Sequence, residues 1–242
     1  MTSAERVEDG PGTAMPLAGH LAELRDRLIW SLLAVGAGAA VGFYFGDPIF
    51  DLLTAPIPPD VPIIITDLGA GFSIRLQVSL VVGVILGMPV ILWHLWRFIS
   101  PGLTPSERRS VLPWIPAALV FFALGVGVAY VVMPFAASFL LTFITGRVEP
   151  MLNLAGYMDF MTTLFLAFGL LMEFPILLIG LSRVGIVTSD RLTRSRRMVI
   201  LVIAIFAAIA TPGGDLVSPL VLGVTLYLLF EGTVFFIRRT GR

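Results

Sequence analysis

Six apolar runs alternate with polar, proline-rich or arginine-rich stretches along the chain: Leu28–Phe45, Leu76–Leu95, Trp114–Pro134, Phe160–Leu181, Met198–Ala210 and Leu216–Ile237. A bilayer core of about 30 Å takes about 20 helical residues, because backbone groups in lipid must find their hydrogen bonds within the segment. Four of the runs meet that length. The fifth reaches only about 20 Å, and Glu231 interrupts the sixth. Only Thr211-Pro212-Gly213-Gly214-Asp215 separates these two, and proline with glycine there marks a turn. The pattern predicts a tight hairpin of two short helices beside a locally thinned bilayer. The expected fold is an all-α integral membrane protein, one domain over residues 1–242, with six transmembrane helices and short fifth and sixth helices.

The polar stretches orient this bundle. Arg6, Arg25 and Arg27 precede the first run, Arg97, Arg108 and Arg109 follow the second, and Arg183, Arg191, Arg194, Arg196 and Arg197 follow the fourth. Arg238, Arg239 and Arg242 end the chain, whereas the alternate connections hold only Arg75 and Arg147. Cytoplasmic loops carry the excess of basic residues, so both termini are expected in the cytoplasm, residues 1–16 as a flexible tail. The connection Gly46–Ser73 carries Asp47, Asp51, Asp60 and Asp67 around Ala55-Pro56-Ile57-Pro58-Pro59-Asp60-Val61-Pro62. That many prolines forbid regular helix, and an extended, ordered cap on the outer face is expected. Before the first run, Leu17, Leu21, Leu24 and Leu28 recur at helical spacing. This predicts a helix lying along the interface before turning into the membrane.

Composition strengthens the membrane reading. Of the residues, 57% are hydrophobic and 13% charged, more apolar surface than one soluble core can bury. There is no cysteine, so disulfide and thiol chemistry are excluded. All 16 basic residues are arginine and the formal net charge is zero. The polar N-terminal segment lacks the pattern of a cleavable signal peptide. No nucleotide-binding loop, HExxH or GxSxG motif is present, and no internal repeat of the kind found in many transporters. The chain therefore reads as non-enzymatic, without metal or cofactor. The two histidines, His20 and His94, read as interfacial residues.

Several ionisable residues stand out against this background. Glu23 has i,i+4 spacing to Arg27 and, on spacing alone, reads as a surface pair. Thr104 and Glu107 have capping-box spacing, with Pro105 at the first helical position, so Glu107 has a structural role to begin with. Glu173 lies inside the apolar stretch Phe168–Ile176. An ionisable group at that depth costs a few kcal/mol and belongs in the bundle interior or a wet cavity. It is either a neutral acid bonded to a neighbouring helix, or a polar contact or proton-linked switch within the bilayer. Pro175 removes a backbone donor close by and loosens the helix. Tyr130 reads as a packing or interface tyrosine, Asp215 as a cap on the sixth helix, and Glu231 as snorkelling towards Arg238. A proton-coupled solute transporter and an intramembrane enzyme are the competing readings. The first would need paired discontinuous helices and the second a partnered nucleophile, and the sequence shows neither.

Taken together, "HLAELRDRL" before the first helix, "TAP" in the outer loop, "WRFISPGLTPSERR", "FGLLMEFP", "ATPGGD" and "LFE" resemble the TatC family, the multispanning subunit of the twin-arginine protein translocase. The resemblance runs from His20 to Ile237. It implies Sec-independent export of folded proteins, with recognition of their twin-arginine signal peptides through Glu23 and Glu107, flanked by Arg25 and Phe98. It implies that Glu173 meets a partner helix or the inserted signal, and that Pro56, Tyr130, Thr211, Asp215 and Glu231 serve function or assembly. Here Thr211 to Asp215 reads Thr-Pro-Gly-Gly-Asp where the family commonly has Thr-Pro-Pro-Asp. Single-span TatA-type and TatB-type subunits are the implied partners, in a complex containing several copies of this chain. The resemblance also implies transport driven by the proton-motive force in the cytoplasmic membrane, without nucleic acid.

Overall fold

A computed structural model describes residues 17–57, 61–141, 151–183, 185, 187–210 and 216–239. Thr211, Asp215, Arg147 and the tail 1–16 lie outside them. The first helix, α1 (Leu17–Tyr44), is one continuous 28-residue rod. The expected turn between an interfacial segment and a membrane helix is absent, because no proline or glycine interrupts residues 20–35. The connection that follows is not uniformly extended either. Its first part is a helix, α2 (Gly46–Thr54), which stops before Pro56, and only then does the chain extend into β1 (Ile63–Ile64).

Next come α3 (Ala70–Ile99), a 3₁₀ turn at Ser100–Gly102, α4 (Pro105–Val111) and α5 (Trp114–Leu141). A second short strand, β2 (Leu152–Asn153), pairs in parallel with β1, Ile63 opposite Leu152, and leads into α6 (Leu154–Leu171). The chain closes with α7 (Phe174–Arg183), α8 (Ser189–Arg194), α9 (Arg196–Ala210) and α10 (Val217–Arg239). By length and apolar character, Gly19–Tyr44, Ala70–Gly102, Pro105–Phe139, Leu154–Arg183 and Val217–Arg239 can cross a membrane. With 15 residues, α9 spans about 22 Å and falls short of the bilayer core.

Helix α6 is the core of the bundle. Met158, Met161, Leu164 and Phe168 recur every three or four residues and are fully buried. They pack with Met133 and Ala136 of α5 and Leu222 and Phe230 of α10 in one cluster. Close approach is achieved with small residues, as expected where lipid offers no hydrophobic drive between helices. Helices α1 and α3 meet at Gly38 and Gly83, where a methyl on Gly38 would lie 3.0 Å from the Gly83 Cα. A methyl on Gly83 would collide with the Val35 carbonyl, and one on Gly125 with that of Phe168.

The two ends of the bundle differ in chemistry. At one end, Tyr157 donates to the Leu53 carbonyl (2.8 Å) and Tyr130 to that of Leu52 (3.4 Å), tying α6 and α5 to α2. Arg75 donates to the Phe43 carbonyl and, at 3.1 Å, to Asp47. At the other end stand the start of α1, the end of α3, α4, and the arginines of α7 through α10.

Candidate functional site

The arginine-rich end carries the ionisable residues singled out above. In the second turn of α1, Glu23 Oε1 accepts from Arg27 Nε at 3.0 Å and from its Nη2. The i,i+4 pair anticipated from spacing is therefore formed. The other oxygen, Oε2, is shielded from solvent and accepts no hydrogen bond among the described residues. The His20 imidazole flanks it, with Nδ1 4.0 Å away. The His20 ring in turn stacks on Phe98 in the last turn of α3, centroids 4.3 Å apart and planes 12° apart. Phe98 thus fixes the imidazole that flanks Glu23. This role for His20 was missed in the sequence, although its i,i+3 spacing to Glu23 places both on one helix face. Arg25 points elsewhere and is held by Asp26 at 2.9 Å on the exposed side.

Glu107 sits on the next element. After Phe98 the chain passes through the 3₁₀ turn and enters α4 with Thr104 extended at its N-cap. The Thr104 amide donates to Glu107 Oε2 at 2.8 Å, and the Glu107 amide donates to the Thr104 hydroxyl at 3.4 Å. This reciprocal pair is the capping box read from the sequence, and it holds the carboxylate at a fixed place beside the first turn of α4. Glu23 and Glu107 stand on separate elements, one packed along α3 and the other continuing from its end.

Beneath this loop lies a cavity of about 380 Å³. Leu95 and Trp96 of α3, Leu103, Trp114 of α5, and Ile176 of α7 line it, and the one ionisable group in its wall is Glu173. Glu173 occupies the break between α6 and α7, and Pro175 explains that break. Having no N–H, it leaves the Leu171 carbonyl without its usual donor. The Glu173 amide reaches back three residues to Leu170 (3.1 Å), and the helix resumes with Leu177 bonded to the Glu173 carbonyl (3.0 Å). The side chain is only 8% exposed, yet its Oε1 has no hydrogen-bond partner among the described residues. No hydrogen bond from Oε1 to a neighbouring helix, as in one of the two readings open from sequence, is found among the described residues. A buried polar atom without a partner is costly, and in an apolar cavity it is an unused acceptor.

Glu231 is also placed differently from expectation. It pairs with Arg196 at 2.6 Å and accepts from Tyr227 at 3.3 Å, whereas Arg238 donates to Thr193 at 2.9 Å. The short hairpin sets this choice. Helix α9 packs against α10, so Arg196 at its start reaches Glu231, while Arg238, two turns further along α10, reaches α8. Pro56 is half-buried after α2, and Tyr130 is at the opposite end of the molecule from Glu23 and Glu107.

Comparison with known proteins identifies the family. Residues 19–224 match the family described as Sec-independent protein translocase protein (TatC). The Sec-independent protein translocase protein TatC of Desulforapulum autotrophicum is 36% identical over 232 residues, covering 94% of this chain and 86% of that protein. The protein of the same name from Aquifex aeolicus is 36% identical over 227 residues, covering 91% and 94%. A crystal structure of the twin arginine translocase receptor TatC in DDM superposes with a TM-score of 0.80 at 35% identity, covering 90% of this chain and 99% of that one. A broken fourth span, a capped loop carrying Glu107 and a short α9 are thus set in a chain that belongs, by sequence and by fold, to the TatC family of Sec-independent protein translocases.

Proposed function

We propose that the arginine-rich end is the docking face for twin-arginine signal peptides, and that the chain is the receptor subunit through which folded proteins leave the cell. One observation carries this reading: two carboxylates, Glu23 and Glu107, are held by separate elements at the arginine-rich end, and an apolar cavity with Glu173 in its wall opens beneath the loop that leads to Glu107. A guanidinium is a planar fork that bonds a carboxylate at two points, whereas an ammonium is a point charge. Two carboxylates on separate elements can read two adjacent arginines. The apolar stretch of a signal then has a route past Leu103 into the cavity, where Glu173 offers an acceptor. Arg25 orients the approach from its exposed position, and Phe98 acts through His20.

The remaining assignments follow from family and charge pattern. Both termini and the arginine-rich end face the cytoplasm, α9 completes a sixth crossing of the cytoplasmic membrane, and the proton-motive force drives transport. TatA-type and TatB-type single-span subunits dock beside it, several copies assemble in the complex, and Pro56, Tyr130, Thr211, Asp215 and Glu231 support that assembly.

The test is the binding of a fluorescent twin-arginine peptide to the purified chain in nanodiscs. A charge-assisted hydrogen bond contributes about 1.5–3 kcal/mol, so Glu23→Gln or Glu107→Gln should each weaken binding about 10- to 100-fold. A twin-lysine peptide should bind as weakly as these variants. Equal binding of both peptides to all three proteins overturns the receptor reading.

A further inference from the structure

The cations at the start of α9 are more numerous than their partners. Arg196 is engaged by Glu231 and Arg238 by Thr193. Arg191, Arg194, Arg197 and Arg239 are exposed, and no described carboxylate lies within 4.0 Å of any of them. The bonds of Arg196 and Arg238 tie α8, α9 and α10 together, and Arg194, the last residue of α8, stands three positions before Arg197 in the first turn of α9. From Arg197 onward the exposed side chains Met198, Leu201, Val202 and Ile205 follow one another at helical spacing along one stripe of α9, and Ile200, Phe206 and Ile209 are exposed beside it. The helix that carries this stripe is shorter than the full thickness of an ordinary bilayer core.

We infer that the Arg194–Arg197 corner at the start of α9 is a binding site for anionic phospholipid, with the headgroup on the arginines and an acyl chain along the Met198–Ile205 stripe. Juxtaposition selects this ligand. Unpaired cations alone would suit any acidic partner, and an apolar face alone any lipid, but two cations at the α8–α9 junction, with the exposed apolar face of α9 running on from them, fit an amphiphile with a negative head. Exposed arginines next to a membrane helix draw anionic lipid strongly enough to concentrate it locally. The short α9 adds a geometric reason, because headgroups beside it must sit deeper than elsewhere, and guanidiniums at that level satisfy them. The inference does not depend on signal recognition, since Glu23 and Glu107 take no part in it.

Native mass spectrometry of the full chain, released from micelles holding equimolar phosphatidylglycerol and phosphatidylcholine, tests this. The wild type should retain phosphatidylglycerol about tenfold over phosphatidylcholine. Arg194→Gln/Arg197→Gln should reduce that preference to about twofold or less, while Arg108→Gln/Arg109→Gln, two exposed arginines on α4, should leave it intact. All three proteins should share one thermal transition, since the altered side chains are exposed. Equal retention of the two lipids by the wild type overturns the inference and leaves the patch to an acidic protein segment. So does an undiminished preference in the α9 variant, or an equal loss in both variants, which would mean a diffuse surface potential.

Discussion

Glu173 Oε1 and Glu107 Oε2 show how differently two carboxyl groups can be held in one small protein. Glu107 is satisfied by the Thr104 amide and hydroxyl, so a loss of function on truncation would mix a lost cap with a lost charge. The capping contribution is about 1 kcal/mol. Glu107→Ala should therefore lower thermal stability modestly as well as weakening signal binding. Glu107→Gln, whose amide oxygen still accepts from Thr104, should weaken binding alone, and melting curves run beside the peptide titration separate the two. Glu173 is the reverse case, with an oxygen that no described residue satisfies. Replacing a buried, unsatisfied polar group by an apolar one of similar size is neutral or stabilising. Glu173→Leu should thus melt at the same or a higher temperature, by up to about 2 kcal/mol, while export of a twin-arginine reporter is lost. A variant that melts lower and exports normally would show Glu173 to be structural. The pairing of Glu231 was not readable from sequence, since Arg196 and Arg238 both lie within reach of its side chain. The packing of two short helices decides between them, and a linear pattern does not encode it.

Length and breaking residues are what the elements owe most directly to sequence. The apolar runs located every long helix, the brevity of α9 was set by thirteen apolar residues between arginine and proline, and Pro175 marked the break that places Glu173. The start of α1 was misjudged because a polar, leucine-spaced segment has the same periodicity whether it bends at the interface or continues straight. Only the unbroken backbone of Leu17–Tyr44 settles it. The α1–α3 seam was equally hidden, since glycines within apolar runs look alike until a neighbour approaches. Gly83 faces the Val35 carbonyl with no room for a methyl, while Gly127 has nothing within 4 Å of where its methyl would be. Gly83→Val should destabilise the protein by about 3 kcal/mol or more through forced separation of α1 from α3. Gly127→Ala should be neutral or gain up to about 1 kcal/mol of helix propensity. Thermal unfolding of both variants in one detergent tests the contrast, and equal effects would mean that α1 is not held by this seam. Such a failure would also matter for function, because the seam holds α1, with Glu23 and His20, along α3, where His20 stacks on Phe98.

For the whole molecule, the arrangement of charge has a consequence that labelling can reach. The ends of α3 and α7 and the start of α9 lie together at the arginine-rich end, while α2, β1 and the start of α6 lie at the other. The proposed orientation puts the first group and both termini in the cytoplasm, and it requires α9 to traverse the bilayer despite its 15 residues. The absence of native cysteine makes this directly testable, since a single introduced thiol reports without background. Ser110 after Glu107, Ser195 between α8 and α9, Thr66 beside β1 and Leu216 before α10 are all exposed. In right-side-out vesicles, an impermeant maleimide should label Thr66→Cys and Leu216→Cys, whereas Ser110→Cys and Ser195→Cys should react only after permeabilisation. If Leu216→Cys behaves like Ser195→Cys, α9 folds back without crossing. The chain then has five crossings and its termini lie on opposite sides. The cytoplasmic receptor face would survive that result, because Glu23, Glu107 and Ser110 belong to the part of the bundle that precedes α9. If Ser110→Cys labels from outside, the face that holds both carboxylates points away from the cytoplasm, and no signal peptide arriving from within the cell could reach it.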